Sequence, residues 1–188
     1  MAVLISMQKV FLNGDFIDKD SAKISIFDRG FIFGDGIYEV VPVINGVMVE
    51  KQGFWDRFKR SLNEIDLSLP YSKDEFENIL NELIKINSLN EGGIYIQITR
   101  GIAQRDFSFV SGITPTVMAF AFSDSVLEHP GAKSGITIIS TPDIRWKRRD
   151  IKSISLLGQC YAKNQATIAG ADECFMIEDG YVTEAGSS

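Results

Sequence analysis

Histidine and cysteine are scarce in this sequence, which has one histidine and two cysteines among 188 residues. A metal site built from histidines is close to excluded, and so is a Ser-His-Asp triad. His129 precedes a proline in a polar stretch, so we interpret it as a solvated loop residue. Cys160 and Cys174 match neither a zinc-binding spacing nor a disulfide framework, and this usage favours a reducing, cytoplasmic location.

Long apolar runs are also missing. The opening segment MAVLIS is short and lacks a basic region, so we predict neither a signal peptide nor a membrane span. The net charge of −6 argues against a general affinity for nucleic acid. With 16 glycines, 5 prolines and 45% hydrophobic residues, the composition excludes disordered, collagen-like and coiled-coil chains. A folded protein of one or two domains remains.

Two Asn-Gly pairs indicate β-hairpins in the first fifty residues. Asn13-Gly14 separates two short apolar segments, and Asn45-Gly46 separates residues 38–44 from 47–49. Asn-Gly is the strongest short hairpin signal, because both turn residues need positive φ. We therefore predict an antiparallel sheet. The segment 28–36 between the hairpins is glycine-rich, and we predict no regular element there.

The remaining elements are predicted from periodicity. An apolar face over 54–67 indicates one helix, and the capping-box pattern Ser72-x-x-Glu75 begins a second that ends near Asn87. Three strands (94–99, 117–122 and 136–141), a helix at about 156–169 and a hairpin of 174–177 with 181–184 follow. This order indicates an α+β protein in two parts: residues 1–123, a polar linker at 124–134, and residues 135–188.

A cluster of five cations lies at residues 145–152. It is open to two general interpretations, a basic patch that binds nucleic acid and a solvated basic loop. Lys152, at the end of the cluster, suggests a third interpretation, an amine that forms a Schiff base. Apolar neighbours and nearby cations favour a neutral amine, which Schiff-base chemistry needs, although most lysines beside apolar runs extend to solvent.

Tyr38 and Arg57 each have an ordinary structural explanation and a functional one. The turn Gly34-Asp35-Gly36 precedes a strand and not a helix, so it is not a dinucleotide-binding fingerprint. It delivers Tyr38 to the start of that strand, as a core tyrosine or as a site residue. Arg57 is an exposed helical arginine or a ligand for an anion, which its planar guanidinium suits.

Together these segments resemble the class IV aminotransferases, the fold-type IV enzymes that use pyridoxal 5'-phosphate. The resemblance rests on Asp28-Arg29-Gly30, FGDGIYEVV (33–41), Asp56-Arg57, DIKS (150–153) and VTEAGSS (182–188). Three segments, TRGxxxR (99–105), DIRW (143–146) and DIKSISLL (150–157), bring the sequence nearest to the D-amino acid (D-alanine) aminotransferases. The resemblance implies an α+β, two-domain architecture.

The resemblance also implies a cofactor site. It identifies Lys152 as the lysine that forms the internal aldimine and later moves the proton. Glu184 matches the carboxylate facing the pyridine nitrogen, whose proton it would retain. Arg57 matches the arginine that binds the cofactor phosphate, and Ser188 falls in a serine-rich turn around the cofactor. No metal is implied.

Tyr38 and Arg105 match two members of the family's binding site for the substrate α-carboxylate. Two positions depart from the D-amino acid subgroup. Phe107 replaces a histidine two residues beyond Arg105, and Gly186 replaces a serine.

The expected reaction is a ping-pong transamination between a D-amino acid and a 2-oxo acid. Alternatives are aminodeoxychorismate lyase, which releases pyruvate and 4-aminobenzoate, branched-chain aminotransferase, and a non-enzymatic binding protein. The sequence Tyr38-Glu39-Val40-Val41 favours a transaminase over the lyase, which usually has threonine-rich residues there. The resemblance further implies a homodimer with its active site near the domain interface, and no nucleic-acid or membrane partner. Because relatives continue beyond the position of Ser188, we expect a fragment of a longer enzyme with an incomplete second domain.

Overall fold

A computed structural model of the chain describes residues 9–187. Contacts divide the described residues into two compact units. Unit 1 comprises residues 9–126 together with Asp150–Ile154, and unit 2 comprises Leu127–Arg149 together with residues 155–187. The segment containing Lys152 therefore belongs with unit 1, although its neighbours along the chain on both sides belong to unit 2.

Unit 1 contains a six-stranded antiparallel sheet in the order β2-β1-β6-β5-β3-β4. Its strands are β1 (Lys9–Leu12), β2 (Asp15–Asp18), β3 (Gly36–Ile44), β4 (Val47–Met48), β5 (Glu91–Thr99) and β6 (Thr116–Ser123). Both predicted Asn-Gly hairpins are confirmed, since these turns join β1 to β2 and β3 to β4. Asn13 and Asn45 have φ of 51° and 53°, the left-handed region that these turns require.

Helices α2 (Lys51–Glu64) and α3 (Lys73–Ile86) supply the apolar side chains that pack with the sheet. The alternation along β3 buries Ile37, Val41 and Val43 completely. The predicted capping box is confirmed, because the Ser72 hydroxyl accepts from the Glu75 N–H and the Glu75 carboxylate accepts from the Ser72 N–H. The first predicted helix lies close to α2, with bounds displaced by three residues at each end.

The prediction of no regular element at 28–36 is wrong. A short helix, α1 (Arg29–Phe33), lies there. Asp28 begins it by accepting a hydrogen bond from the Gly30 N–H, and Gly34, at φ 67°, ends it. The sequence contains both an aspartate that can cap the start of this helix and a glycine that can end it. Five residues, however, are too few for apolar periodicity to indicate a helix.

Unit 2 is built on a three-stranded mixed sheet in the order β7-β8-β9. It consists of α4 (Gly131–Ser134), β7 (Ile138–Pro142), α5 (Leu157–Ile168), β8 (Glu173–Glu178) and β9 (Tyr181–Ala185). β7 and β8 are parallel and are connected through α5, whereas β8 and β9 form the predicted hairpin around Asp179-Gly180. Four buried residues form a small separate core: Ala162, Ala166, Cys174 and Met176.

The two units confirm the α+β fold class. Both cysteines are free thiols, Cys160 exposed and Cys174 buried. Within residues 9–187, no helix combines the length and the apolar character needed to cross a membrane.

Candidate active site

The backbone around Lys152 is bonded to the edge of β3. The Tyr38 N–H donates to the Lys152 carbonyl (3.0 Å), and the Ile154 N–H donates to the Gly36 carbonyl (3.2 Å). An antiparallel bridge joins Ile37 to Ser153. Because β4 pairs only with the last residues of β3, this segment occupies the remaining part of the same edge. The strand therefore determines where the lysine lies.

Gly36 allows this close packing at the start of β3. A Cβ at Gly36 would lie 2.5 Å from the Ile98 carbonyl oxygen, 3.0 Å from the Thr99 Cα and 3.1 Å from the Ile154 Cδ1. Two of these atoms belong to the backbone of β5, which cannot give way as a flexible side chain can. The second glycine of the Gly-Asp-Gly turn is therefore needed for the approach of β5 and of the lysine segment.

The Lys152 amine lies against Tyr38. Lys152 Nζ donates a hydrogen bond to Tyr38 Oη (3.4 Å) and lies 4.4 Å from the centroid of the tyrosine ring. The Tyr38 ring stacks on Tyr95 at 5.6 Å, and Tyr95 stacks on Phe120 at 4.9 Å. Burial, with a smaller contribution from Tyr38, raises the pKa of Tyr95 to about 12. The Tyr38 ring thus packs against the uncharged ring of Tyr95, which packs in turn against the ring of Phe120.

Helix α2 contacts the same lysine segment. The Lys152 N–H donates to Ser61 Oγ (3.2 Å), and Arg60 donates to the Asp150 carbonyl (3.3 Å). Ser61 is completely buried and lies one helical turn after Arg57. Sequence analysis did not identify Ser61, since a serine within an amphipathic helix carries no distinguishing pattern.

Arg57 pairs with Glu39 of β3. Arg57 Nε and Nη2 donate to the two carboxylate oxygens of Glu39, at 2.6 Å each. The Glu39 side chain is fully buried, whereas the Arg57 side chain is 45% exposed. Glu39 was also missed in the sequence analysis, although an acidic residue at a core-facing position of a strand was a signal that could have identified it.

A buried ionic cluster lies behind the Gly-Asp-Gly turn. Asp35 accepts from Arg29 Nε (2.7 Å) and from Arg100 Nε (2.8 Å) and Nη2 (3.0 Å). Both arginines and the aspartate are at most 6% exposed. Arg100 also donates to the carbonyls of Ile65 and Asp66. Asp35 therefore joins Arg29, the first residue of α1, to Arg100, the residue that follows β5.

Arg105 lies on an exposed loop. Its guanidinium is 5.6 Å from the Phe33 ring centroid and 5.0 Å from that of Phe107, and the two rings are 5.3 Å apart. Phe107, which replaces the histidine of the D-amino acid subgroup, is thus a cation–π partner of the arginine. The predicted role of Arg105 toward a substrate carboxylate stays a prediction.

Glu184 lies on β9 of unit 2 and contacts Arg145 (Nη1 to Oε2, 3.4 Å). Arg145 is fixed in turn by Asp143, which accepts from its Nε at 3.1 Å and its Nη2 at 2.9 Å. The Thr183 hydroxyl also donates to Asp143, at 2.6 Å. The Arg145 guanidinium, together with Thr183, holds the pKa of Asp143 well below its ordinary value. Glu184 therefore faces an arginine whose position is set by a buried carboxylate.

The basic cluster at 145–152 includes several residues with acidic partners. Lys147 and Arg149 both contact Glu178, at 2.5 Å and 2.6 Å, and Arg145 pairs with Asp143. Arg149 and Lys147 lower the pKa of Glu178 to about 2. Lys147 nevertheless remains 81% exposed, so these pairs lie at a solvated surface. Their acidic partners offset part of the positive charge that a nucleic acid would meet.

The structure brings only some of the predicted site residues into described contact. Tyr38 and Lys152 touch, and Arg57 is bonded to the residue that follows Tyr38. Glu184 belongs to unit 2, with its own contacts there. Ser188 lies outside the described residues. The functional roles assigned to these residues stay predictions.

Comparisons with known proteins agree with the resemblance. The family model for class IV amino-transferases matches residues 36–188. The chain is 44% identical to D-alanine aminotransferase of Staphylococcus haemolyticus over 183 residues, which cover 97% of this chain and 64% of that relative. Its fold matches branched-chain amino acid aminotransferase of Escherichia coli with a TM-score of 0.84 at 18% identity, covering 95% of this chain and 62% of that one.

A second solved structure, the T.th. branched-chain amino acid aminotransferase with pyridoxamine 5'-phosphate, has a TM-score of 0.82 at 20% identity, again covering 95% and 62% of the two chains. At such identities the structural likeness shows the fold alone. The chain spans about 64% of the length of its curated relative. The family match includes β3, α2, the lysine segment and β9. On this match, the chain belongs to the class IV aminotransferase family.

Proposed function

We propose that the protein transfers an amino group between a D-amino acid and a 2-oxo acid, using pyridoxal 5'-phosphate. The observation that carries the proposal is the Lys152 amine, hydrogen-bonded to Tyr38 on a segment bonded to the edge of β3. The preference for D-amino acids is supported by the 44% identity to a D-alanine aminotransferase. The reaction would proceed in two half-reactions, and the oxo acid formed from the amino donor would leave before the second substrate enters.

The residues of unit 1 fit this cofactor in chemical type. A primary amine suits an aldehyde, and a guanidinium held in a fixed plane suits a phosphate group. Neighbouring residues of a strand face opposite sides, so Tyr38 and Glu39 mark the two faces of β3. The lysine segment at the edge meets both faces, through its amine to Tyr38 and its N–H to Ser61 of α2.

Each residue has a role in the proposal. Lys152 Nζ would hold the cofactor, and the same amine would carry the proton lost from the substrate Cα. Arg57 binds the phosphate group and Tyr38 orients the substrate carboxylate together with Arg105. Glu184, to which the resemblance assigns the ring nitrogen, would keep that nitrogen protonated, and its carboxylate contacts Arg145. When bound, pyridoxal 5'-phosphate supplies an electron sink for the carbanion at Cα.

Two measurements test the proposal. Borohydride reduction of the protein incubated with pyridoxal 5'-phosphate, followed by peptide mapping, should locate the label on Lys152, and Lys152→Ala should remain unlabelled. Lys163→Ala is the matched control, because that lysine pairs with Glu173 in unit 2. Equal labelling of wild type and Lys152→Ala would refute the assignment of the lysine.

A panel of amino donors tests the substrate class. With 2-oxoglutarate as acceptor, D-alanine should give pyruvate and glutamate, whereas L-alanine and L-leucine should react much more slowly. Transfer from L-leucine alone would indicate a branched-chain aminotransferase. Pyruvate release from aminodeoxychorismate without amine transfer would indicate the lyase.

The proposed assembly is a homodimer with small-molecule substrates and no nucleic-acid partner. Large apolar side chains are exposed in unit 1 around α1 and the loop after β5, among them Ile26 (70%), Phe31 (76%) and Phe107 (77%). Such a concentration is typical of a covered protein surface. Light scattering should give twice the monomer mass, and Phe31→Asp should reduce it to that of a monomer. A wild-type monomer would refute this assembly.

The proposed location is the cytoplasm. The two thiols are unpaired, which suits a reducing compartment. Cell fractionation with an antibody to the chain checks it, and recovery with the membrane or secreted fraction would contradict it.

A further inference from the structure

Glu39 occupies a position of β3 where its neighbours on the same face are apolar. Ile37 and Val41 lie two residues to either side, and all three side chains are fully buried. An unpaired carboxylate at such a position costs several kcal/mol of desolvation, a large part of the net stability of a folded domain. A leucine or methionine would fill the position without that cost. The glutamate therefore needs an explanation other than stability.

Arg57 provides the compensating charge in a demanding geometry. Both carboxylate oxygens accept, from Nε and from Nη2, at 2.6 Å each. Two parallel hydrogen bonds fix the plane and direction of the guanidinium, which a single contact would leave free to rotate. The arginine side chain remains 45% exposed. A buried residue of the sheet thus orients a solvent-accessible cation on α2.

The same helix also holds the lysine segment. Ser61, one turn after Arg57, accepts the hydrogen bond from the Lys152 N–H. Any rotation of the Arg57 side chain would move the guanidinium relative to Lys152, whose backbone is held by the Ser61 hydroxyl and by the Tyr38 N–H. The pairing with Glu39 removes that freedom.

We infer that Glu39 is a positioning residue that orients Arg57 for a phosphate group. The inference rests on the proposed function, which supplies the phosphate as part of pyridoxal 5'-phosphate. Two effects of the carboxylate oppose each other. Its charge weakens the attraction of Arg57 for anions, whereas its geometry preorganises the guanidinium. Geometry dominates, and so removing the charge while keeping the shape weakens phosphate binding.

The test compares pyridoxal 5'-phosphate with pyridoxal, which carries no phosphate. The dissociation constants of both aldehydes are measured by absorbance for the whole chain. The dissociation constant of pyridoxal divided by that of pyridoxal 5'-phosphate isolates the contribution of the phosphate group. Glu39→Gln should reduce this ratio about tenfold, the loss expected when a charge-assisted hydrogen bond of about 1.5 kcal/mol is misplaced. Its affinity for pyridoxal should stay within about twofold of the wild-type value, because that ligand does not use Arg57.

Arg57→Lys tests the geometry without touching the buried carboxylate. It keeps the positive charge but cannot donate through a planar fork, so the ratio should fall to a similar extent. The double variant should lose no more than either single variant, since both remove the same arrangement. Glu77→Gln is the matched control. Glu77 accepts from Lys51 at the start of α2 and from Trp55, and its loss should leave the ratio unchanged.

The outcomes are distinguishable. An unchanged or increased ratio in Glu39→Gln overturns the inference, and an increase would mean that the charge dominates. Equal weakening of both aldehydes also overturns it, because a merely structural role would affect both. If Glu39→Gln does not fold, as circular dichroism would reveal, Glu39→Asp replaces it: it keeps the charge but shortens the side chain, so an unchanged ratio in Glu39→Asp would overturn the inference. A wild-type protein that binds neither aldehyde refutes the proposed function, and the inference falls with it.

Discussion

Replacing Asp35 should destabilise unit 1 more than the loss of an exposed ion pair does. Asp35 is 6% exposed and accepts three hydrogen bonds from Arg29 and Arg100, which are 2% and 6% exposed. In Asp35→Asn the side chain keeps its shape but loses its charge, so two buried guanidinium groups face each other without an anion. Breaking a buried pair by removing one partner costs about 3–5 kcal/mol.

The structure places the expected loss at the lower end of that range, at about 3 kcal/mol. Both arginines retain backbone partners: Arg29 donates to the Asp106 carbonyl, and Arg100 to the carbonyls of Ile65 and Asp66. Those carbonyls continue to satisfy part of the guanidinium hydrogen bonding after the carboxylate is gone. The free energy of unfolding of a domain is about 5–15 kcal/mol, so the variant should still fold but with a marginal stability.

Urea unfolding monitored by tryptophan fluorescence measures this loss in unit 1 specifically. Trp55 is 3% exposed in unit 1, and a Trp146→Phe background removes the signal of the tryptophan in unit 2. Asp18→Asn is the control, because its pair with Lys9 is 64% and 38% exposed and should contribute at most about 1 kcal/mol. If Asp35→Asn loses no more than Asp18→Asn, the interpretation of Asp35 as the charge that compensates two buried arginines is wrong.

Three further predictions concern other parts of the fold. Gly36→Ala should destabilise by about 1–3 kcal/mol in the same unfolding assay, because its Cβ would lie 2.5 Å from the Ile98 carbonyl oxygen. Ser72→Ala should cost about 0.5–2 kcal/mol through loss of the cap, whereas Ser72→Asp, which retains an acceptor for the Glu75 N–H, should cost far less. Burial raises the pKa of Glu173, but hydrogen bonds from Ser187, the Cys174 N–H and Lys163 outweigh it and lower that pKa to about 2. The stabilising contribution of Glu173 is therefore present at neutral pH and lost as the pH falls from about 4.5 toward 2, so Glu173→Gln should flatten the acid side of the stability profile. An unchanged profile would contradict the assigned hydrogen bonds.

Much of the fold follows from local signals in the sequence. The Asn-Gly turns require positive φ wherever they occur, and the capping box at Ser72 satisfies its own backbone donors within one turn. Such signals involve residues a few positions apart, so the sequence displays them directly. The short helix α1 was missed because its five residues show no periodicity and depend on a capping aspartate and on contacts beyond the segment.

The site is different, because its contacts join distant residues. Tyr38 and Lys152 are separated by 114 positions, and the Lys152 N–H reaches Ser61 across 91. No spacing or periodicity brings these residues together. Apolar neighbours and nearby cations made Lys152 one candidate among 19 cations, and the resemblance to a family then gave it a specific role. Glu39 shows the limit of that resemblance. It lay within the quoted motif, yet its pairing with Arg57 is visible only once β3 and α2 are packed together.

The lysine segment shows how the sheet determines chemistry at a position far along the chain. Asp150–Ile154 belongs by its contacts to unit 1, whereas the residues before and after it belong to unit 2. Two of its backbone bonds are to Gly36 and Tyr38, at the start of a strand that the Gly-Asp-Gly turn initiates. Asp35 of that turn is in turn fixed by two buried arginines. A substitution in this turn should therefore allow Lys152 to be displaced at a lower urea concentration than the one that unfolds the sheet. Partial urea denaturation of Gly36→Ala should then abolish borohydride labelling of Lys152 at a lower concentration than the loss of Trp55 fluorescence, and coincident transitions would refute this order.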